Sequence, residues 1–161
     1  MRTLLGLFSI LTILTTSGCI FQNLSPTRQL TDQVYALNDE TRWARVDLAT
    51  ERVVPAYRET FLIAHRMWGH DIQIADSDTT RVHISDDLQT ATSLVTISWY
   101  ARSTLDLRAT VVRQHWAFTG GGFALDEEVI VGGDTDLLDL PEPEASESDE
   151  SGVDDGAIAA R

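Results

Sequence analysis

Residues 95–111 read Val95-Thr96-Ile97-Ser98-Trp99-Tyr100-Ala101-Arg102-Ser103-Thr104-Leu105-Asp106-Leu107-Arg108-Ala109-Thr110-Val111. Val95, Ile97 and Trp99 alternate with Thr96, Ser98 and Tyr100, and Leu105, Leu107, Ala109 and Val111 alternate with Asp106, Arg108 and Thr110. A period of two in β-branched, aromatic and aliphatic residues is the pattern of a strand with one face buried. Two such runs joined by a short polar segment predict antiparallel neighbours.

The same period continues outward. Downstream, Gly120-Gly121-Gly122 is a strong turn, and Phe123, Leu125, Val129 and Val131 predict a closing strand ended by Gly132-Gly133. Upstream, Ile72 and Ile74 alternate, Asp76-Ser77-Asp78 intervenes, Val82 and Ile84 follow, and Asp86-Asp87 makes a turn. Before Gly69 the period is helical. Ser25-Pro26 opens a helix, since serine caps and proline suits the first turn, and Leu30, Val34 and Leu37 recur along it. Asn38-Asp39 is read as its break, with Asp39 capping a second helix that places Trp43, Val46 and Ala49 on one side. A third helix is predicted from Pro55 to about Trp68, with Tyr57, Phe61, Ala64 and Trp68 inward and Gly69 at its end. Two or three helices followed by about four antiparallel strands give an α+β fold, helices packed on one sheet face.

The hairpin Gln114-His115-Trp116-Ala117-Phe118-Thr119-Gly120-Gly121-Gly122-Phe123-Ala124-Leu125 resembles the last two strands of the nuclear-transport-factor-like, or cystatin-like, α+β roll. The resemblance spans roughly residues 30–133. It implies a curved sheet wrapped around a helix, with a cone-shaped pocket. On that reading Phe61 and Trp68 insert between the strands against Trp99 and Val111, and Tyr57 and His115 line the pocket with them. Some relatives of that fold are isomerases or dehydratases working through a carboxylate, tyrosine or histidine. Tyr57, Tyr100, Asp106 and His115 are the candidates here.

The front of the chain carries a different signal. Arg2 precedes an eleven-residue apolar run, Leu4 to Leu14, then Thr15-Thr16-Ser17-Gly18 and Cys19, the one cysteine among 161 residues. A charged start, a short apolar core and small residues before a cleavage point make a secretory signal peptide. The run is about half the ~20 residues a spanning helix needs. With Ser17 and Gly18 ahead of a lone Cys19, the segment resembles a bacterial lipoprotein signal, although Thr16 stands where such signals usually carry an aliphatic residue. The resemblance implies cleavage after residue 18 and acyl chains, palmitate among them, on Cys19. Two or more chains hold a protein stably at a bilayer, where one holds it marginally. The residues after Cys19 are Ile20, Phe21 and Gln22, with no aspartate, which among lipoproteins implies the outer membrane, facing the periplasm.

The expected divisions are therefore a signal peptide over 1–18, the lipidated cysteine and a tether over 19–26, the folded domain over 27–133, and an acidic tail over 134–161. From Asp134 onward there are ten acidic residues and one base, Arg161, with prolines, serines and no aromatic residue. Such a composition buries too little apolar surface to offset its ordering entropy, with Leu137, Leu138 and Leu140 the exception, read as a last short docking contact. The whole chain carries a net charge of −13 and no lysine. The acidic balance argues against a nucleic-acid footprint and disfavours electrostatic docking on anionic lipid, so membrane contact is expected from the acyl chains, with an envelope protein as a candidate partner.

Assembled chemistry is sparse. His65 and His70 are five apart, the wrong spacing for one helix face, and neither they nor His83 and His115 form a zinc motif. Asp76-Ser77-Asp78 and Asp126-Glu127-Glu128 lack calcium-loop spacing and are read as solvated turns and a strand edge. No serine sits in a nucleophile elbow, and the glycine turn lacks the Lys-Ser/Thr of a phosphate loop. No cofactor, metal or catalytic residue is assigned. The expectation is a lipid-anchored binding or accessory module without catalysis, the alternative being a small-molecule binder or enzyme using the cone, and a third possibility a tail that grips a basic envelope component.

Overall fold

A computed structural model describes residues 25–138. Three helices, α1 (Pro26–Arg42), α2 (Val46–Thr50) and α3 (Arg58–Ala64), precede four strands, β1 (Ile72–Ile84), β2 (Thr90–Ala101), β3 (Leu107–Phe118) and β4 (Phe123–Gly133). The strands form one antiparallel sheet in the order β1-β2-β3-β4, and the helices pack on one of its faces. The α+β architecture follows from the two hydrophobic periods, because a helical stripe and a one-sided sheet each need the other for burial.

Several boundaries differ from the sequence expectation. α1 opens as read: the Ser25 hydroxyl accepts from the Arg28 amide at 3.4 Å and Pro26 fills the first turn. It does not break at Asn38-Asp39. The Asn38 side chain donates to the Val34 carbonyl at 2.8 Å and finds a further partner in the sheet, so a residue that usually competes with helix is held inside one. The helix runs on to Arg42, and Trp43, expected inside a second helix, caps it with 65% of its surface exposed. α3 is shorter than Pro55–Trp68, starting behind Tyr57 and stopping at Ala64. Gly69 has φ +80°, and a Cβ there would collide with the Ala44 side chain, so glycine is required both for the turn and for the close approach. β1 passes straight through Asp76-Ser77-Asp78, accommodating it with register shifts at Ile74/Asp76 and Thr79/Arg81 instead of a turn.

The sheet's buried face is set by Ala91, Ser93, Val95, Ile97 and Trp99 on β2 and by Thr110, Val112, Gln114 and Trp116 on β3. Val111 and His115, expected in the interior, project from the opposite face, since residues one apart on a strand point to opposite sides. β4 changes parity. Trp116 pairs with Leu125 while His115 pairs with Glu127, so Asp126 is an extra residue in the ladder. This bulge turns Glu128 and Ile130 inward and leaves Val129 and Val131 outside, 36% and 40% exposed.

The core has two apolar parts. One joins Leu30, Val34 and Leu37 of α1 to Phe61, Trp116, Phe123 and Leu125. The other joins Ala64 and Trp68 to Val95, Ile97, Trp99, Val112, Leu137 and Leu138. Fully burying a side chain of this size contributes about 1.5–3 kcal/mol. Leu137 and Leu138, in the stretch read as tail, thus belong to the fold, and Asp134 and Asp136 both bond to Arg108.

The direction of α1 follows from its contacts. Arg42 reaches the Ala75 carbonyl at 2.9 Å and the Asp76 carboxylate at 3.0 Å. Asn38 meets Gln114, and Gln33 shares a cleft with Gly121 and Gly122. The helix therefore starts near the β3–β4 turn. The described chain ends at the other extreme of the sheet, where Leu138 lies by Ile72.

Candidate functional site

Between the two apolar parts lies a seam of buried polar side chains drawn from four elements. Gln114 on β3 is its hub. The Gln114 Oε1 accepts from Asn38 Nδ2 at 3.1 Å and from Ser93 Oγ at 2.9 Å, and its Nε2 donates to Asn38 Oδ1 at 3.1 Å and to Glu128 Oε1 at 3.0 Å. Ser93 in turn accepts from Trp116 Nε1 at 3.0 Å. This amide orientation is the one that satisfies every neighbour.

Glu128 ends the seam against α3. Its Oε2 lies 3.4 Å from His65 Nε2, with side-chain exposures of 4% and 1%, and is a buried oxygen without a hydrogen bond. His65 Nδ1 stands 2.8 Å from the Phe61 carbonyl. Only a protonated nitrogen can face a carbonyl oxygen, so Nδ1 carries hydrogen. A neutral ring would then turn the Nε2 lone pair towards a carboxylate. Phe61 and Trp68 flank the imidazole with ring centroids at 4.1 and 4.5 Å.

Tyr57 closes the group. Its hydroxyl accepts from the Glu128 amide at 3.1 Å. Burial first, and then the nearby charge of Glu128, push its phenol from 10.0 up to about 12, so it stays protonated. A carboxylate, an imidazole and a phenol together resemble an acid–base set. A proton-transfer group, however, must come within hydrogen-bond reach of its substrate. Clefts open around the described residues. One of about 310 Å³ lies between Gln33, Arg52 and the glycine turn, one of about 340 Å³ is lined by Ala64, Met67, Ile72 and Leu137, and one of about 210 Å³ lies between Asn38, Arg42 and Ser77. None of the three is lined by His65, Gln114 or Glu128. In the first, the Arg52 guanidinium is held bidentately by Glu40, both contacts at 2.8 Å, and also donates to Gln33. Among the described residues no three His, Cys, Asp or Glu side chains converge to hold a metal ion.

The six residues expected to share a pocket are divided by the sheet. Phe61 and Trp99 are buried with 0% and 1% exposure, Trp68 is buried with its Nε1 donating to the Leu137 carbonyl at 3.1 Å, and Tyr57 is half-buried beside Glu128. Val111 and His115 are half-buried on the far side. Tyr100 lies on that outer face too, and Asp106 is in the β2–β3 connection. Cys19 lies outside the described residues. Sequence reasoning missed Glu128, Gln114, Asn38 and Ser93. The available signal was Asp126-Glu127-Glu128 itself, because three consecutive acids cannot all face water on a strand with one buried face.

No protein-family model matches the chain, and no curated protein does. Among solved structures it is similar to the intermembrane space region of the chloroplast protein ARC6, with 11% identity, a TM-score of 0.42, and coverage of 67% of this chain and 98% of that one.

Proposed function

We propose that the chain is a lipid-anchored cell-envelope protein, held by acyl chains on Cys19 at the outer membrane and facing the periplasm, whose domain serves as a non-catalytic binding or accessory module. The observation that carries this reading is the placement of the one cysteine behind Leu4–Leu14 and Thr15-Thr16-Ser17-Gly18. An ordinary secretory leader would leave an odd thiol in an oxidising compartment, whereas a lipidated one uses it. No helix among the described residues is long and apolar enough to cross a membrane.

The interior favours the accessory role. Trp99, Trp116, Phe61 and Leu125 fill the space between the layers, and the seam's polar groups bond to one another. The experiment is fractionation with intact-mass measurement of the native protein and of Cys19→Ala. The native chain is expected in the membrane fraction, its mass that of residues 19–161 plus acyl chains, and the variant in the soluble fraction. A bare thiol, or a variant that fractionates like the native protein, overturns the proposal.

A further inference from the structure

The outer sheet face carries a small basic patch on an otherwise acidic molecule. Residues 25–138 carry seventeen acidic residues against ten arginines. Yet on this face two adjacent cross-strand rows bring together Arg81, Leu94 and Arg113 in one, and His83, Thr92 and His115 in the other. Arg81, His83 and Arg113 are exposed and His115 is half-buried. None of the four side chains has an ion-pair or hydrogen-bond partner among the described residues, although arginine side chains pair with carboxylates elsewhere, Arg42 with Asp76 and Arg52 with Glu40 among them. The acids nearest in register are Glu127, opposite His115, and Asp78, opposite Thr96 in the next row. Leu94, between the arginines, is half-buried with no element over it.

We propose that this face is the docking surface for the chain's own acidic segment, Glu142-Pro143-Glu144-Ala145-Ser146-Glu147-Ser148-Asp149-Glu150. It holds five carboxylates in nine residues, and two prolines, Pro141 and Pro143, stand at its entry. The rest of the acidic body repels such a segment, and the Arg81–Arg113 rows are where the sign of the surface reverses. Guanidinium forks match carboxylates geometrically, and the imidazole N–H groups add donors.

Reach permits the contact. The described chain ends at Leu138, beside Ile72 and so level with Ala101. From that row to the row of Leu94 is about 24 Å along the strands, and passing from one face to the other adds about 10 Å. Residues 139–150 extend to roughly 40 Å. A tether of this length keeps the segment at an effective concentration on the order of millimolar, which lets individually weak surface pairs populate a docked state.

The test is arginine modification by phenylglyoxal on the purified full-length protein in nonionic detergent, read peptide by peptide by mass spectrometry. The unaltered chain is compared with a chain carrying Glu142→Gln, Glu144→Gln, Glu147→Gln, Asp149→Asn and Glu150→Gln, all outside the described residues. At low salt the modification rates of Arg81 and Arg113 are expected to rise at least threefold in the neutralised chain, with Arg28 on α1 unchanged. In the unaltered chain, 0.5 M sodium chloride is expected to raise the same two rates, because the screening length falls well below that at low ionic strength. Equal rates in the two chains, an equal rise at Arg28, or protection that disappears on dilution, which marks a second copy as the occupant, each overturn the proposal.

Discussion

The two faces of β3 differ in a way hydrophobicity does not anticipate. The face that is covered carries Thr110, Val112, Gln114 and Trp116, and the face left open carries Val111, Arg113 and His115. Each has one valine and at least one polar group. What separates them is the layer opposite. α1 and α3 bring Asn38 and His65 against one side, so Gln114 and Glu128 find partners there, while nothing among the described residues covers the other. A buried polar residue costs little once its hydrogen bonds are complete and a great deal when they are not. The inner face is a bonded set in which Glu128 Oε2 alone is left without a hydrogen bond among the described residues, and the outer face leaves Arg113 and His115 without side-chain partners among them.

The largest expected contrast is between adjacent residues. Trp116→Ala should cost about 4 kcal/mol in chemical denaturation, from the lost ring and the cavity behind it. His115→Ala should stay within about 0.5 kcal/mol. Comparable losses would mean that the outer face is packed too. Next, Glu128→Ala should cost about 3 kcal/mol, because it strands both His65 and the Gln114 amide, and Glu128→Gln should recover part of that by restoring an acceptor. Gln114→Leu is similar in volume but breaks four hydrogen bonds, and about 2 kcal/mol is expected. If it were neutral, the seam would be dispensable to stability.

The smallest effect is in pH. Tyr57 is neutral up to about 12 in the fold and 10.0 is its ordinary value. The protonated phenol is therefore favoured by folding. Its contribution is complete below pH 10 and is lost as pH rises from 10 towards 12. Tyr57→Phe should lose less stability over that interval than the unaltered protein. The phenolate absorbance of Tyr57, identified as the part missing in the variant, should appear near pH 12.

Much of the architecture was legible because two hydrophobic periods meet at Gly69, and turns at Asp86-Asp87 and Gly120–Gly122 separate long strands. The alternation along β3 was legible as well, since Leu107, Ala109 and Val111 were set apart from Arg108 and Thr110. Which of the two is buried was not, because that depends on Asn38, 76 residues away in sequence. Asn38 reads locally as a helix breaker, and only a partner across the layers keeps it helical. The Asp126 bulge escaped for a related reason. Alternation through Leu125, Val129 and Val131 suggests an unbroken strand, yet one extra residue reverses the faces beyond it. The seam is built wherever local rules are broken and a distant group compensates.

The crossing direction of α1 sets a ruler length. The chain enters the domain beside the β3–β4 turn and leaves it by Ile72, at opposite extremes of strands twelve residues long. At about 3.4 Å per residue those extremes are roughly 40 Å apart. On the proposed anchoring at Cys19 and the proposed docking of the acidic segment, the sheet is a strut that sets the stand-off between bilayer and rear segment, and release of the segment from Arg81 and Arg113 lengthens the molecule's reach without bending its body.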